Sequence, residues 1–77
     1  MSNIGETIGW AVKQMWDGSR VRRTGWNGPG QYLKIQVPDA GSMNTLPYVY
    51  IITVTGDRVP WTASQTDLLA TDWELAE

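Results

Sequence analysis

The sequence predicts an α+β fold: an N-terminal amphipathic helix packed on a four- to five-stranded antiparallel sheet, with a short helical turn before the last strand. Three observations carry this. Ile4, Ile8, Ala11, Val12 and Met15 repeat at helical spacing on one stripe. From Gln31 the pattern changes to period two, and Tyr48 to Val54 is β-branched or aromatic throughout. Clusters of Gly, Pro, Asn and Asp separate these runs.

Taken in order, Asn3-Ile4-Gly5-Glu6 reads as a capping box, with Asn3 as the cap and Glu6 reaching back to it. The helix is expected over about residues 4–16, flanked by Trp10 and Trp16. Gly18 stands where a left-handed residue stops it. Ser19 to Thr24 is short and extended, so Arg22 and Arg23 face opposite ways. One arginine can then serve a site while its neighbour points elsewhere. Gly25 to Gly30 makes a tight loop that holds the Trp26 ring out from the backbone.

Gln31 to Val37 is a strand with Leu33, Ile35 and Val37 on one face and Tyr32, Lys34 and Gln36 on the other. Pro38 to Pro47 is a loop of polar and small residues. Both faces of Tyr48 to Val54 are apolar, as for a central strand or one covered by a second subunit. Thr55-Gly56-Asp57 turns the chain into Arg58 to Trp61, and Pro60 marks the end of ladder pairing. Ser64 or Thr66 can cap a helical turn over Asp67 to Ala70. Trp73 to Leu75 closes the sheet.

Seventy-seven residues make one domain, 1–77, near the lower limit for a self-sufficient core. There is no cysteine and no histidine. Disulfides and thiolate metal sites are thereby excluded, and the commonest zinc ligand and general base are missing. No cofactor or metal is called for, and oligomerisation is the expected additional support. Five Trp and three Tyr stand against no Phe. Rings with a polar handle are enriched where one side meets a partner, though two or three of the Trp are expected simply to fill the core.

A net charge of −2 disfavours a nucleic-acid polymer as partner. The local cluster Arg20, Arg22 and Arg23 can still hold a small anion. No apolar run reaches the ~18 residues of a membrane span, and the N-terminus lacks the basic start of a signal peptide. A cytoplasmic location without membrane attachment is expected. No nucleophile-elbow, zincin, Walker or dinucleotide motif is present, so an enzyme is not expected.

Two groups carry candidate chemistry. In the first, the Arg23 guanidinium is a natural clamp for phosphate, the Trp26 indole offers a stacking face, and the Asn27 amide can read a base edge or ribose. The plain alternative is a surface ion pair, a packed ring and a turn asparagine. In the second, Trp61 ends a strand and Ser64, Gln65 and Thr66 lie at a helix N-terminus, where backbone N–H groups attract anions. Asp67 can accept from a base amino group or sugar hydroxyl. Alternatively Thr66 and Asp67 only cap the turn, and Trp61 and Trp73 are core. Together the groups form the inventory for a nucleotide-like ligand. A chain this small hardly makes a deep pocket alone, and a pocket between subunits would resolve that.

Two stretches, Arg23-Thr24-Gly25-Trp26-Asn27-Gly28 and the run from Val59 to Trp73 (VPWTASQTDLLATDW), closely resemble the phage Thoeris anti-defence family, the second family so named. The N-terminal helix ending in Gly18 also fits. The likeness spans nearly the whole chain, while Pro38 to Pro47 is a short connection where many relatives carry a longer insertion. The resemblance implies a molecular sponge in the host cytoplasm. Such a protein holds a cyclic nucleotide immune signal intact, so that its effector is never activated. The implied signals are the cyclic ADP-ribose isomers of Thoeris and, at a separate site, cyclic dinucleotides of CBASS. A homotetramer with pockets between protomers is also implied. By motif, the ligand-binding residues are Arg23, Trp26 and Asn27, and Trp61, Ser64, Gln65, Thr66 and Asp67. A small phage structural or interaction subunit without a nucleotide ligand is the competing expectation.

Overall fold

Residues 5–43 and 45–76 are described in a computed structural model. Its elements are α1 (Ile8–Trp16), β1 (Val21–Arg23), β2 (Tyr32–Gln36), β3 (Tyr48–Ile52), β4 (Arg58–Pro60), α2 (Gln65–Leu69) and β5 (Trp73–Leu75). The α+β fold expected from the sequence is the one found.

The first helix starts later than expected. Thr7, in extended conformation, is its N-cap, and the Thr7 hydroxyl accepts from the Trp10 N–H at 3.4 Å. Asn3 lies outside the described residues. Glu6 belongs to no capping box, because its backbone exchanges two hydrogen bonds with Trp73, at 3.3 and 3.1 Å. The sheet edge takes this segment because both backbone groups find partners there, which a first helical turn cannot offer its N–H groups. Gly5 permits the approach: a Cβ there would stand 2.8 Å from the Thr71 carbonyl oxygen.

The end of α1 is as the sequence predicts. Gly18 has φ +92°. Its N–H donates to the Met15 carbonyl at 3.0 Å, and the Ser19 N–H donates to Gln14 at 3.0 Å. These two bonds make a Schellman motif. Gly18→Ala should therefore lower the unfolding free energy by roughly 1–2 kcal/mol, the penalty of a Cβ in the left-handed region. Urea titration followed by circular dichroism would read that change.

All five strands form one antiparallel sheet in the order β4-β3-β2-β1-β5. The chain meanders through β1 to β4. It then passes through α2, which packs against α1, and returns as β5 beside β1. Strand β3 is paired on both sides, as its two apolar faces suggest. It ends at Ile52, two residues short of the expected Val54. There Thr53 to Asp57 close a loop through the Thr53 N–H to the Asp57 carbonyl at 2.9 Å, joined by the Thr53 and Thr55 hydroxyls.

Alternation along the strands separates two faces. Leu33 and Ile35 stand opposite Ile51 and Val49 on the helix side. The core there is Ala11, Met15, Val21, Leu33 and Trp73. Ile8, Trp10 and Val12 pack on it from α1, while Ile4 lies outside the described residues. Val37, expected in the Leu33 row, falls beyond the end of β2 and is exposed. On the opposite face Arg58 covers the Tyr50 ring at 4.4 Å and Arg20 covers Tyr32 at 5.0 Å, so Tyr50 is buried without joining the core. No helix among the described residues is long and apolar enough to cross a membrane.

Candidate functional site

The two sequence groups, far apart in the chain, meet at one end of the sheet. The Gly25–Gly30 loop joins β1 to β2. The segment from Trp61 to Asp72 crosses from β4 toward β5, and brings Trp61 and α2 to that loop. Between them lies a cleft of about 250 Å³ lined by Trp26, Asn27, Gly28, Gln31, Ile51, Trp61 and Asp67. On the other side of the Trp26–Gly28 turn is a second, of about 240 Å³, where Arg22, Arg23, Thr24, Pro29 and Glu74 join Trp26, Asn27, Gly28 and Gln31. A larger depression of about 460 Å³ lies elsewhere, against Thr45, Leu46, Pro47, Tyr48 and Pro60. It offers few side-chain polar groups, and none of the candidate residues reaches it.

The two indoles of the first cleft rest on a third. Trp73 is 1% exposed. Trp26 meets it edge to face at 5.6 Å and Trp61 at 6.0 Å, with interplanar angles of 77° and 88°. Such T-shaped pairs add about 0.5–1.5 kcal/mol each beyond area burial. The Trp73 indole N–H donates to the Asp67 carbonyl at 3.2 Å, so the central ring cannot rotate freely. Trp26 and Trp61 are half-buried, which leaves each with ring surface toward the cleft. Of the other tryptophans, Trp10 packs on the core and Trp16 is exposed.

An ion network braces the same place. Arg23 Nε donates to Asp72 Oδ1 at 2.8 Å, and Arg23 Nη1 donates to Asp67 Oδ1 at 2.9 Å. Asp72 Oδ2 accepts from the Gly25 N–H at 3.0 Å. Asp67 Oδ2 accepts from the Ser64 N–H at 3.1 Å, and the Ser64 hydroxyl accepts from the Asp67 N–H at 3.1 Å, a complete capping box for α2. Side-chain exposure is only 20% for Arg23 and 13% for Asp67, so this pair is less screened than an ordinary surface bridge. Arg22, as its opposite orientation requires, pairs instead with Glu74 at 2.8 Å on the far face of the sheet.

Both carboxyls titrate below their ordinary value. For Asp72 the Arg23 hydrogen bond is the main cause, outweighing burial, with the Gly25 N–H assisting. For Asp67 burial is the largest single influence and pushes upward, but Arg23, the Ser64 groups and the Trp26 indole together overcome it. The Arg23 guanidinium is raised, first by Asp72 and then by Asp67. Carboxyls depressed in the native state contribute stability that is fully present above their unfolded value of about 3.8. That contribution is lost as pH falls through the lowered native values. Thermal midpoints should therefore be flat in this respect above pH 5 and fall steadily from about pH 4 downward. Arg23→Gln should flatten the acid limb.

Four of the candidate residues, Trp26, Asn27, Trp61 and Asp67, line the first cleft together. Arg23 lines the second and holds Asp67 from behind. Ser64, Gln65 and Thr66 are exposed and line neither. Ser64 is the helix cap, and its hydroxyl lies 2.9 Å from that of Thr66. The N-terminus of α2 is met by the chain's own Asp67 carboxylate. Gln31 also lines both clefts, although it is not among the residues singled out in the sequence. Its signal was available: it shares the parity of Leu33 and Ile35, so it places an amide at a position of the apolar row.

A profile of the Tad2-like family, described as the Thoeris anti-defense 2-like domain, matches residues 7–76. The chain is also 30% identical over 82 aligned positions to Thoeris anti-defense 2 of Bacillus phage SP01, covering 90% of this chain and 92% of the phage protein. The class is therefore that of phage anti-defence proteins. The chain belongs to the Thoeris anti-defense 2-like family.

Proposed function

We propose that the protein is a sponge for a cyclic nucleotide immune signal, binding it in the host cytoplasm without cleaving it. The observation that carries this reading is the first cleft. Two indoles are fixed on a buried third, and two amides and one carboxylate stand between them. Trp26 and Trp61 stack on bases, each worth ~1–3 kcal/mol. Asn27 and Gln31 read base or ribose edges, and Asp67 accepts from an amino or hydroxyl group. Ser64, Gln65 and Thr66 meet the part of the ligand that extends past Asp67. Arg23 acts chiefly through Asp67, and its face on the second cleft is the place for a phosphate.

Sequestration needs tight binding, and a nanomolar Kd corresponds to about −12 kcal/mol. Each cleft alone is smaller than the ~300–1,000 Å³ typical of sites that enclose a small molecule. Closure by a second protomer supplies the remainder, and a homotetramer is the assembly proposed. Leu68 and Leu69, exposed on α2 beside Asp67, favour such contact.

Calorimetry against cyclic ADP-ribose isomers and cyclic dinucleotides tests the reading. A bound signal released by heating the complex should have unchanged mass in a mass spectrum. Altered mass would make the protein an enzyme. No binding and no thermal shift across the panel would favour a structural or interaction subunit.

A further inference from the structure

The geometry points to Asp72 as the positioning residue of the cleft, acting through Arg23 on Asp67 and through Gly25 on the Trp26–Asn27 turn. This rests on the ligand reading above, yet its structural half can be measured without ligand. Asp72 lines neither cleft that Trp26 and Asn27 border. Its reach into both halves comes from its two carboxylate oxygens, one on Arg23 and one on the Gly25 N–H. The residue itself is fixed. It directly precedes buried Trp73, and its carbonyl accepts from the Thr24 N–H at 3.0 Å and the Thr24 hydroxyl at 2.8 Å.

The two partners of this carboxylate are both donors. An asparagine offers one acceptor and one donor at the same place, so it can satisfy only one of them. The other would face an N–H against an N–H. If Gly25 is lost, the Trp26–Asn27 turn loosens. If Arg23 is lost, the guanidinium keeps only Asp67, and Asp67 shifts with it. Either way the distance between Trp26 and Asp67 is no longer set. The approach is also close, since a Cβ on Gly25 would lie 3.0 Å from Asp72 Oδ2. A carboxylate elsewhere provides the comparison: Asp39 Oδ1, in the Pro38–Pro47 loop, accepts from the Gly41 N–H at 2.9 Å, and Asp39 lines neither cleft.

The test compares Asp72→Asn, Asp72→Glu and Asp39→Asn by calorimetry with cyclic ADP-ribose and by ¹⁵N NMR of the free proteins. Asp72→Asn should weaken the Kd roughly tenfold or more, the scale of one charge-assisted hydrogen bond. It should also move the Gly25 amide and Trp26 indole signals while those of Trp10 and Trp16 stay. Asp72→Glu, which keeps both acceptors, should recover most of the affinity, and Asp39→Asn should bind as the parent does. Equal losses in Asp72→Asn and Asp39→Asn would reduce Asp72 to an ordinary structural carboxylate and overturn the proposal. Unmoved Gly25 and Trp26 signals would overturn it too. If the parent binds no cyclic ADP-ribose, the choice of ligand fails separately, and the NMR shifts still decide the positioning role.

Discussion

Trp73→Ala should cost about 3–5 kcal/mol of folding free energy, the range for removing a large buried aromatic side chain. Stability for a domain of this size is a few kcal/mol at best. The variant is therefore expected to be largely unfolded at room temperature, with urea unfolding showing no native baseline. The size of the effect follows from position. Trp73 is one of five buried cluster residues among the described residues, and both cleft indoles meet it edge to face. Its N–H bond to the Asp67 carbonyl would also be lost. Trp73→Phe keeps part of the ring but no donor, so it should fold with reduced stability. Trp26 and Trp61 should then show increased acrylamide quenching.

Trp26→Ala should leave the fold standing and weaken binding. The ring is half-buried and packs at the margin of the core, so its loss is a smaller structural matter than that of Trp73. In ligand affinity it should lose ~1–3 kcal/mol, which is about 5- to 150-fold in Kd. Trp61→Ala should behave alike. The double variant should show no calorimetric heat with a ligand that the parent binds. Normal binding by both single variants would move the ligand away from this cleft while leaving family membership untouched.

The helical stripe, the alternation in β2 and the β-branched run of β3 were legible because each is a local pattern imposed by which face is buried. The helix start was misread for a non-local reason. Asn3 and Glu6 have the right residues at the right spacing for a box, but the edge of β5 competes for the Glu6 backbone and wins. The convergence of Trp26, Asn27, Trp61 and Asp67 could be suspected from residue type alone. The role of Arg23 could not, because it depends on where Asp72 lies across a strand pairing 49 residues distant. Thr66 shows a second limit of residue type. A hydroxyl at a helix start suits an anion as well as a cap, and here the Ser64–Asp67 box already satisfies the turn.

Strand β5 lies beside β1, and Arg22 and Glu74, which face each other there, are separated by 52 residues of chain. The meander from β1 to β4 can zip up hairpin by hairpin at small entropic cost, whereas this closure must span a long loop. While a ribosome is still making the chain, β1 therefore keeps a bare edge, and the cleft indoles have no third ring to lean on. The cleft proposed to hold a ligand would therefore be completed abruptly, when β5 pairs with β1, and a nascent chain would lack it beforehand.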